Sequence, residues 1–160
     1  MRAVTIFITL LCLVANLALA GNKAEKLTFK QAGFSIAPLD EPQQGPSQAL
    51  IIFLPASDGF APNVNVQIQP YSGSIDAYAN MSKTQFKQVG FKLLSENKSG
   101  KSEITFEYSG TLQGRNFHWY ARSLQNGGII YLVTATATEE QWSKVADKLK
   151  VCVNSFETIK

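Results

Sequence analysis

The sequence predicts an α+β fold, an antiparallel β-sheet flanked by helices, from three observations. Apolar and polar residues alternate strictly in NVNVQIQPY, residues 63–71, which is typical of a half-buried strand. Apolar residues recur at three- and four-residue steps over residues 75–89 and again over 142–156, which is typical of amphipathic helices. Turn-forming pairs separate further alternating runs between these two segments, so we expect the remaining strands to form a meander.

The first twenty residues have the pattern of a secretory signal peptide. Arg2 supplies a positive start, Ile6–Leu19 is mainly apolar, and Ala18-Leu19-Ala20 forms an A-x-A cleavage site. The alternative, a membrane anchor, is disfavoured because the run is shorter than the roughly 20 apolar residues of a spanning helix. We therefore expect a signal peptide at residues 1–20, one domain at 21–160 without a transmembrane segment, and a periplasmic or secreted location.

Charge and cysteine content exclude several classes of function. Without Arg2 the chain has 15 − 1 = 14 Lys and Arg against 12 Asp and Glu, a net charge of +2. The lysines are scattered from Lys23 to Lys160, whereas nucleic acid requires a clustered basic patch, so we expect no nucleic-acid partner. Cys12 leaves with the signal peptide and Cys152 is then alone, so we expect no internal disulfide.

The N-terminal half contains two strands and two loops before residue 63. GFSIAPL, residues 33–39, alternates apolar and small residues and predicts a short strand. Asp40–Gln48 is rich in Pro and Gly and predicts an exposed loop. Ala49–Leu54 is an apolar run of strand length, and a second loop, ASDGFAP, follows it.

The helix predicted over residues 75–89 has recognisable ends. Ser74 can cap its start, Asp76 suits the first turn of a helix, and Gly90 follows the last apolar residue. A short strand is predicted next, at Phe91–Leu94, and the polar segment Ser95–Ser102 is expected to be hairpin-like.

The central hairpin has a register that the sequence predicts. With Gln113-Gly114 as its turn, the residue numbers of paired positions add to 227. This register places the apolar residues of both strands on one face, and a one-residue slip would separate them. The predicted pairs on the apolar face are Tyr108 with Trp119, Phe106 with Ala121 and Ile104 with Ser123; those on the opposite face are Ser109 with His118, Glu107 with Tyr120 and Thr105 with Arg122.

The last predicted strand follows a two-residue turn. Asn126-Gly127 is the strongest hairpin signal, since both residues tolerate positive φ. The run from Gly128 to Ala137 is apolar on both faces, which predicts a central strand that a helix covers on each side.

The last helix is predicted to begin at Thr138, because Thr138 to Gln141 has the T-x-x-Q spacing of a capping box. The apolar stripe of the helix includes Trp142, Val145, Ala146, Leu149, Cys152, Val153 and Phe156, so we expect Cys152 to pack in the core.

The segment RNFHWYARS, residues 115–123, contains the single histidine of the chain and is the one candidate for chemistry. The predicted register divides it, with Trp119 on the core face and His118, Tyr120 and Arg122 on a polar face with Glu107. We expect that face to be half-solvated, with a Glu107–Arg122 ion pair and no acid placed to orient His118. Glu107, His118, Tyr120 and Arg122 are therefore candidate binding residues rather than catalytic ones.

Recognised catalytic motifs are missing from the sequence. One His and one helical Cys do not make a zinc site. There is no G-x-S-x-G nucleophile elbow and no phosphate-binding glycine motif. We expect no catalytic residue, no metal site and no cofactor.

The order of elements resembles the PsbP-like fold group, which includes an extrinsic subunit of photosystem II and many small bacterial envelope proteins. The similarity is carried by GFSIAPL, NVNVQIQPY, NGGIIYLVTATAT and VNSFETI, and it covers most of residues 27–159. It implies an α/β/α sandwich and a non-enzymatic role in docking to a larger partner. The chain departs from the group at DEPQQGPSQ, where a common aromatic is missing, and the metal-binding histidines of the photosystem subunit have no counterpart.

Three functions are consistent with these observations. The first is a non-enzymatic exported protein that binds a protein partner in the cell envelope. The second is a hydrolase-like or metal-assisted enzyme centred on His118, which requires a concave pocket and an acidic or thiol partner for the ring. The third is a carrier of a small apolar ligand, which requires a cavity of about 300 Å³ or more lined by both layers.

Overall fold

The computed structural model describes residues 26–30, 33–36 and 47–159. The predicted signal peptide and the first part of the predicted Pro/Gly loop, residues 40–46, lie outside the described residues. The chain divides into two units, residues 1–42 and residues 43–160.

In the first unit, two short strands form a hairpin. Strand β1 (Leu27–Phe29) pairs antiparallel with strand β2 (Phe34–Ile36), and Gly33 before β2 has a φ of 73°. Strand β2 confirms the strand predicted at GFSIAPL, whereas β1 was not predicted. A single domain over residues 21–160 stays a prediction.

The second unit is a six-stranded antiparallel sheet with two helices, which confirms the predicted fold class. The order of strands is β3-β4-β8-β7-β6-β5. The elements are β3 (Ser47–Phe53), β4 (Asn63–Pro70), α1 (Ile75–Gln88), β5 (Lys92–Ser99), β6 (Glu103–Leu112), β7 (Arg115–Asn126), β8 (Ile129–Thr138) and α2 (Glu139–Asn154). Strand β3 begins at Ser47, so the predicted loop extended two residues too far.

The predicted register of the β6–β7 hairpin is confirmed at all six pairs. Tyr108 lies opposite Trp119, and Ser109 lies opposite His118. The turn residues Gln113 and Gly114 have φ angles of 52° and 78°. The left-handed conformation at both positions gives the twist that a two-residue hairpin needs.

The β7–β8 turn lies one residue later than predicted. Asn126 pairs with Ile129, and the turn consists of Gly127 and Gly128, with φ angles of 55° and 81°. Glycine adopts these angles without strain, so the Gly-Gly pair replaces Asn-Gly as the turn. Moving a turn by one residue changes the sum of paired numbers by two, which preserves the assignment of side chains to faces. The strand order places β8 between β4 and β7, which confirms the prediction that it is a central strand.

Strand β5 is longer than predicted, because the polar segment after Leu94 continues the strand to Ser99. As an edge strand it exposes polar side chains, so apolar alternation is not needed for it to pair with β6. Ion pairs join it to α1, from Lys83 to Glu96 at 3.1 Å and from Lys98 to Asp76 at 2.6 Å.

The two helices cover opposite faces of the sheet. Helix α1 packs over the face that carries Trp119, here called the α1 face, where Tyr78 and Ala79 contact Phe106 and Ile130. Helix α2 covers the face that carries His118, the α2 face. Its core joins residues of β4, β8 and α2: Val64, Val66, Val133, Ala135, Ala137, Trp142, Leu149 and Val153. Ala135 and Ala137 are fully buried there, as expected for small residues beneath a closely packed helix.

Both helices begin at the predicted caps. The Ser74 hydroxyl accepts from the Ala77 amide at 3.2 Å, and Thr138 forms a reciprocal capping box with Gln141. The side-chain amide of Gln141, through Nε2, also donates to the Ser57 carbonyl at 2.8 Å. This bond joins the start of α2 to the turn at residues 57–60. Among the described residues, no helix is long and apolar enough to cross a membrane.

Candidate functional site

His118 lies beneath α2 rather than on a half-solvated face, which corrects the expectation from the sequence. Only 6% of the residue is exposed. Its ring stacks on the Trp142 indole with 4.1 Å between centroids and 15° between planes. The expectation was wrong because alternation assigns residues to a face but does not show that α2 extends over that part of the sheet.

Two carboxylates bracket the His118 ring. Its Nε2 lies 3.0 Å from Glu107 Oε1, and its Nδ1 lies 3.2 Å from Glu139 Oε1. From the sequence, no acid was expected to orient the ring, and the contact with Glu139, the first residue of α2, was not predicted. Both contacts act as hydrogen bonds only in the imidazolium form, because a neutral imidazole has a single N–H. No ring nitrogen is left free to act as a general base.

Glu107 of β6 also contacts Lys150 of α2, which joins the sheet to that helix. Lys150 Nζ donates to Glu107 Oε1 at 2.9 Å and to Oε2 at 3.0 Å. Burial would raise the pKa of Glu107, but the hydrogen bonds and positive charges of Lys150 and His118 outweigh burial and hold it below its usual value of 4.5. The carboxylate therefore stays ionised where it lies against α2.

Arg122 and Tyr120 also contact the end of α2. The predicted Glu107–Arg122 pair is wrong, because Arg122 instead makes a bidentate ion pair with Glu103 at 2.8 and 3.1 Å. Arg122 Nη1 donates to the Phe156 carbonyl at 2.8 Å, and the Tyr120 hydroxyl donates to Asn154 Oδ1 at 3.1 Å. The polar band of Glu107, His118, Tyr120 and Arg122 thus holds α2 on the sheet, and its role in binding a partner stays a prediction.

The geometry around His118 does not support metal binding. The two carboxylates contact opposite nitrogens of the ring, so they do not converge on one point. Within the part of the chain that the structure describes, no group of three or more His, Cys, Asp and Glu residues could hold a metal ion. Cys152 is free and half-buried and packs against the α2-face core, as predicted.

A cavity of about 500 Å³, here called the α1 pocket, lies between α1 and the sheet. It arises because α1 packs against β5 and β6, which leaves the α1 face of β4 only partly covered. Strands β4, β6, β7 and β8 form its floor, and α1 forms one wall. The lining residues are Gln67, Gln69, Pro70, Tyr71, Tyr78, Met81, Ser82, Gln85, Phe86, Phe106, Tyr108, Ala121, Ser123 and Leu132.

Phe86, Phe106 and Tyr108 lie at one end of the α1 pocket, and the carboxamides of Gln67 and Gln69 lie with the Tyr78 hydroxyl at the other, polar end. Among the described residues, none that lines it is charged. Phe86 stacks on Tyr108 with 4.2 Å between ring centroids and meets Phe106 edge to face at 5.6 Å. At the polar end, the carboxamides of Gln67 and Gln69 extend from β4. Such a lining suits an uncharged ligand with an apolar body.

Burial at the α1 pocket changes the ionisation of two tyrosines. Burial raises the pKa of Tyr78, and a hydrogen bond with Ser123 opposes this only in part. Burial also raises the pKa of Tyr108, with a small addition from the neighbouring Tyr78. Both phenols are therefore neutral at physiological pH, which keeps the pocket uncharged.

The α1 pocket was not predicted from the sequence. Gln67 and Gln69 were correctly placed on the polar face of their strand, but that pattern is equally typical of a solvent-exposed strand. Only the position of α1 shows that these side chains border a cavity.

Comparisons with known proteins agree with the fold. The family model described as PsbP matches residues 61–158. The chain belongs to the PsbP family. The resemblance noted in the sequence is thereby confirmed. No curated protein sequence matches the chain.

Solved structures similar to this PsbP-family chain include the following three. PA94 of Pseudomonas aeruginosa, a protein of unknown function, is 18% identical with a TM-score of 0.64, covering 85% of this chain and 97% of its own. LpqN of Mycobacterium tuberculosis, involved in cell envelope biogenesis, is 12% identical with a TM-score of 0.44, covering 72% and 84%. Cyanobacterial PsbP of Synechocystis is 15% identical with a TM-score of 0.44, covering 91% and 99%. At these identities the similarity concerns the fold alone.

Proposed function

We propose that this chain is an exported, non-enzymatic binding protein that carries a small uncharged ligand in the α1 pocket. The observation that carries the proposal is the cavity itself, about 500 Å³ and lined by both helix α1 and the sheet. This volume is within the range of about 300–1,000 Å³ that is typical of small-molecule sites. Export is supported by the signal-peptide pattern of residues 1–20.

The proposed ligand differs from the small apolar ligand of the third hypothesis drawn from the sequence. Gln67, Gln69, Ser82 and Ser123 line the pocket beside its aromatic residues. Among the described residues, Gln67 Nε2 donates to no protein atom, so a purely apolar ligand would remove it from water without replacing its hydrogen bonds, which costs free energy. We therefore propose an amphipathic ligand.

The enzyme hypothesis has less support than ligand binding. His118 has acidic neighbours, but it is buried beneath Trp142, and both of its ring nitrogens face carboxylates. It does not line the α1 pocket. Binding to a protein partner of the cell envelope stays a prediction. The location of this chain, in the periplasm or outside the cell, also stays a prediction.

Recovery of a bound molecule from the purified protein tests the proposal. The chain is expressed in full with its N-terminal segment and purified, and small molecules released by organic solvent are identified by mass spectrometry. Ala121→Leu enlarges a buried residue of the pocket floor, whereas Ala77→Leu makes the same change at an exposed position of α1. Thermal unfolding of both variants checks that they fold.

We expect a released compound from the wild type and from Ala77→Leu, and less of it from Ala121→Leu, because the larger side chain extends into the cavity from its floor. Equal recovery from Ala121→Leu and Ala77→Leu would show that the compound does not bind in the α1 pocket. Background levels from the wild type would contradict the carrier function.

A further inference from the structure

The polar end of the α1 pocket contains a directional chain of hydrogen bonds. The Tyr78 hydroxyl donates to Gln69 Oε1 at 2.8 Å, and Gln69 Nε2 donates to Gln67 Oε1 at 3.2 Å. Each carboxamide oxygen in this chain already accepts a hydrogen bond. The chain therefore ends at Gln67 Nε2, which has two N–H groups to donate.

Gln67 Nε2 is available to a ligand. Within the described residues, it donates to no protein atom, and the sole buried side-chain polar atom without a partner is Asn65 Oδ1. Gln67 is half-buried and lines the cavity. Gln67 Nε2 retains two N–H groups and Gln69 Nε2 retains one, whereas each oxygen has one of its two lone pairs occupied. Donors therefore outnumber acceptors in the free hydrogen-bonding capacity of these two amides.

A donor at this position requires an acceptor on the ligand, and the surroundings restrict its charge. Among the described residues, no cation lines the pocket. A carboxylate or phosphate bound here would lose hydration without gaining an opposite charge, at a large cost in free energy. An uncharged carbonyl oxygen accepts the same hydrogen bond without that cost.

The sheet order places the apolar body of the ligand opposite this donor. Gln67 is on β4, and Phe106 and Tyr108 are on β6, which is three strands away in the order β4-β8-β7-β6. At about 4.8 Å per strand, the two ends of the floor are separated by about 14 Å. A ligand that uses both ends therefore has a carbonyl group at one end and an apolar ring or chain several bonds away.

We infer that the α1 pocket binds uncharged carbonyl compounds, with the ligand oxygen accepting from Gln67 Nε2 and an apolar body against Phe106 and Tyr108. This inference rests on the proposed function, because it identifies the class of ligand that the same pocket takes. The class includes amides, esters and ketones, since each presents the same acceptor.

Three probes of similar shape test this inference. N-benzylacetamide has an uncharged carbonyl, hydrocinnamate has a carboxylate, and propylbenzene has no polar group. Binding to the full chain is followed by NMR, with the side-chain amide resonances of Gln67 and Gln69 reporting on the polar end. Gln67→Glu replaces the donor by an acceptor and still allows Gln69 to donate to position 67. Gln88→Glu makes the same change on the exposed end of α1.

For the wild type and Gln88→Glu, we expect N-benzylacetamide to bind more tightly than hydrocinnamate and to shift the Gln67 amide. The substitution Gln67→Glu should lower the affinity for N-benzylacetamide by about tenfold or more, because the ligand carbonyl loses its hydrogen-bond donor. It should leave the affinity for propylbenzene unchanged. Unchanged N-benzylacetamide affinity in Gln67→Glu, or tighter binding of hydrocinnamate to the wild type, would overturn the assignment of ligand class alone. If no probe shifts any residue of the α1 pocket in the wild type, the proposed function itself is wrong.

Discussion

Replacing His118 by Phe tests whether the polar band fastens α2 to the sheet. Phenylalanine retains a planar ring to stack on Trp142 but removes both contacts with carboxylates. Loss of the hydrogen bond to the charged Glu107 should cost about 1.5–3 kcal/mol. The Glu139 contact should contribute only about 0–1 kcal/mol, because the Glu139 side chain is 51% exposed. Lys150 still pairs with Glu107 in the variant, which leaves that carboxylate compensated.

Urea unfolding of the wild type and His118→Phe gives the change in stability directly. We expect a loss of about 1.5–4 kcal/mol, and a control, Glu139→Gln, should lie within about 1 kcal/mol of the wild type. A double-mutant cycle with Glu107→Gln should give a coupling energy of about 0.5–3 kcal/mol between positions 107 and 118. If His118→Phe is as stable as the wild type and the coupling is zero, the bracketed histidine does not hold α2 in place.

Two further predictions concern pH. Glu107 has a folded pKa below 4.5, so its stabilising contribution is present above pH 4.5 and is lost as the pH falls through the folded value. Glu107→Gln should therefore lose less stability than the wild type on acidification, as measured by urea midpoints; a parallel decline in both proteins would contradict this. Tyr78 and Tyr108 have pKa values raised above 10.0, so their contribution is present below pH 10.0 and lost as the pH rises further. Ultraviolet difference titration should show two phenols that ionise only as the protein unfolds, and one in Tyr108→Phe. Ionisation of both with an unchanged circular dichroism spectrum would exclude the proposed burial.

Side-chain alternation predicted the strand pairing well because it has a period of two. The match of Tyr108 with Trp119 and of Phe106 with Ala121 required a single register, and the structure has that register. The faces of β8 were also predicted correctly although its turn was placed one residue early, since the error changed the pair sum by an even number. Helix caps at Ser74 and Thr138 were predicted for a similar reason, because a cap depends on residues within one turn of the chain.

The environment of His118 could not be predicted in the same way. Alternation placed it correctly on the face opposite Trp119, but its burial depends on Trp142, and the ring is bracketed by Glu107 and Glu139 from different elements. Glu139 lies 21 residues from His118 in the chain. Its proximity follows only when His118 is paired with Ala137, which places the start of α2 beside the ring.

The sequence by itself determined which residues share a strand face, where both helices begin and that β8 is central, because these properties follow from local periodicity and capping. The tertiary structure alone decided what covers each face. The position of α2 buries His118 and makes the polar band a contact between sheet and helix. The position of α1 over β5 and β6 leaves the α1 pocket beside Gln67 and Gln69. These outcomes depend on how the helices pack, and packing joins residues that are distant in the chain.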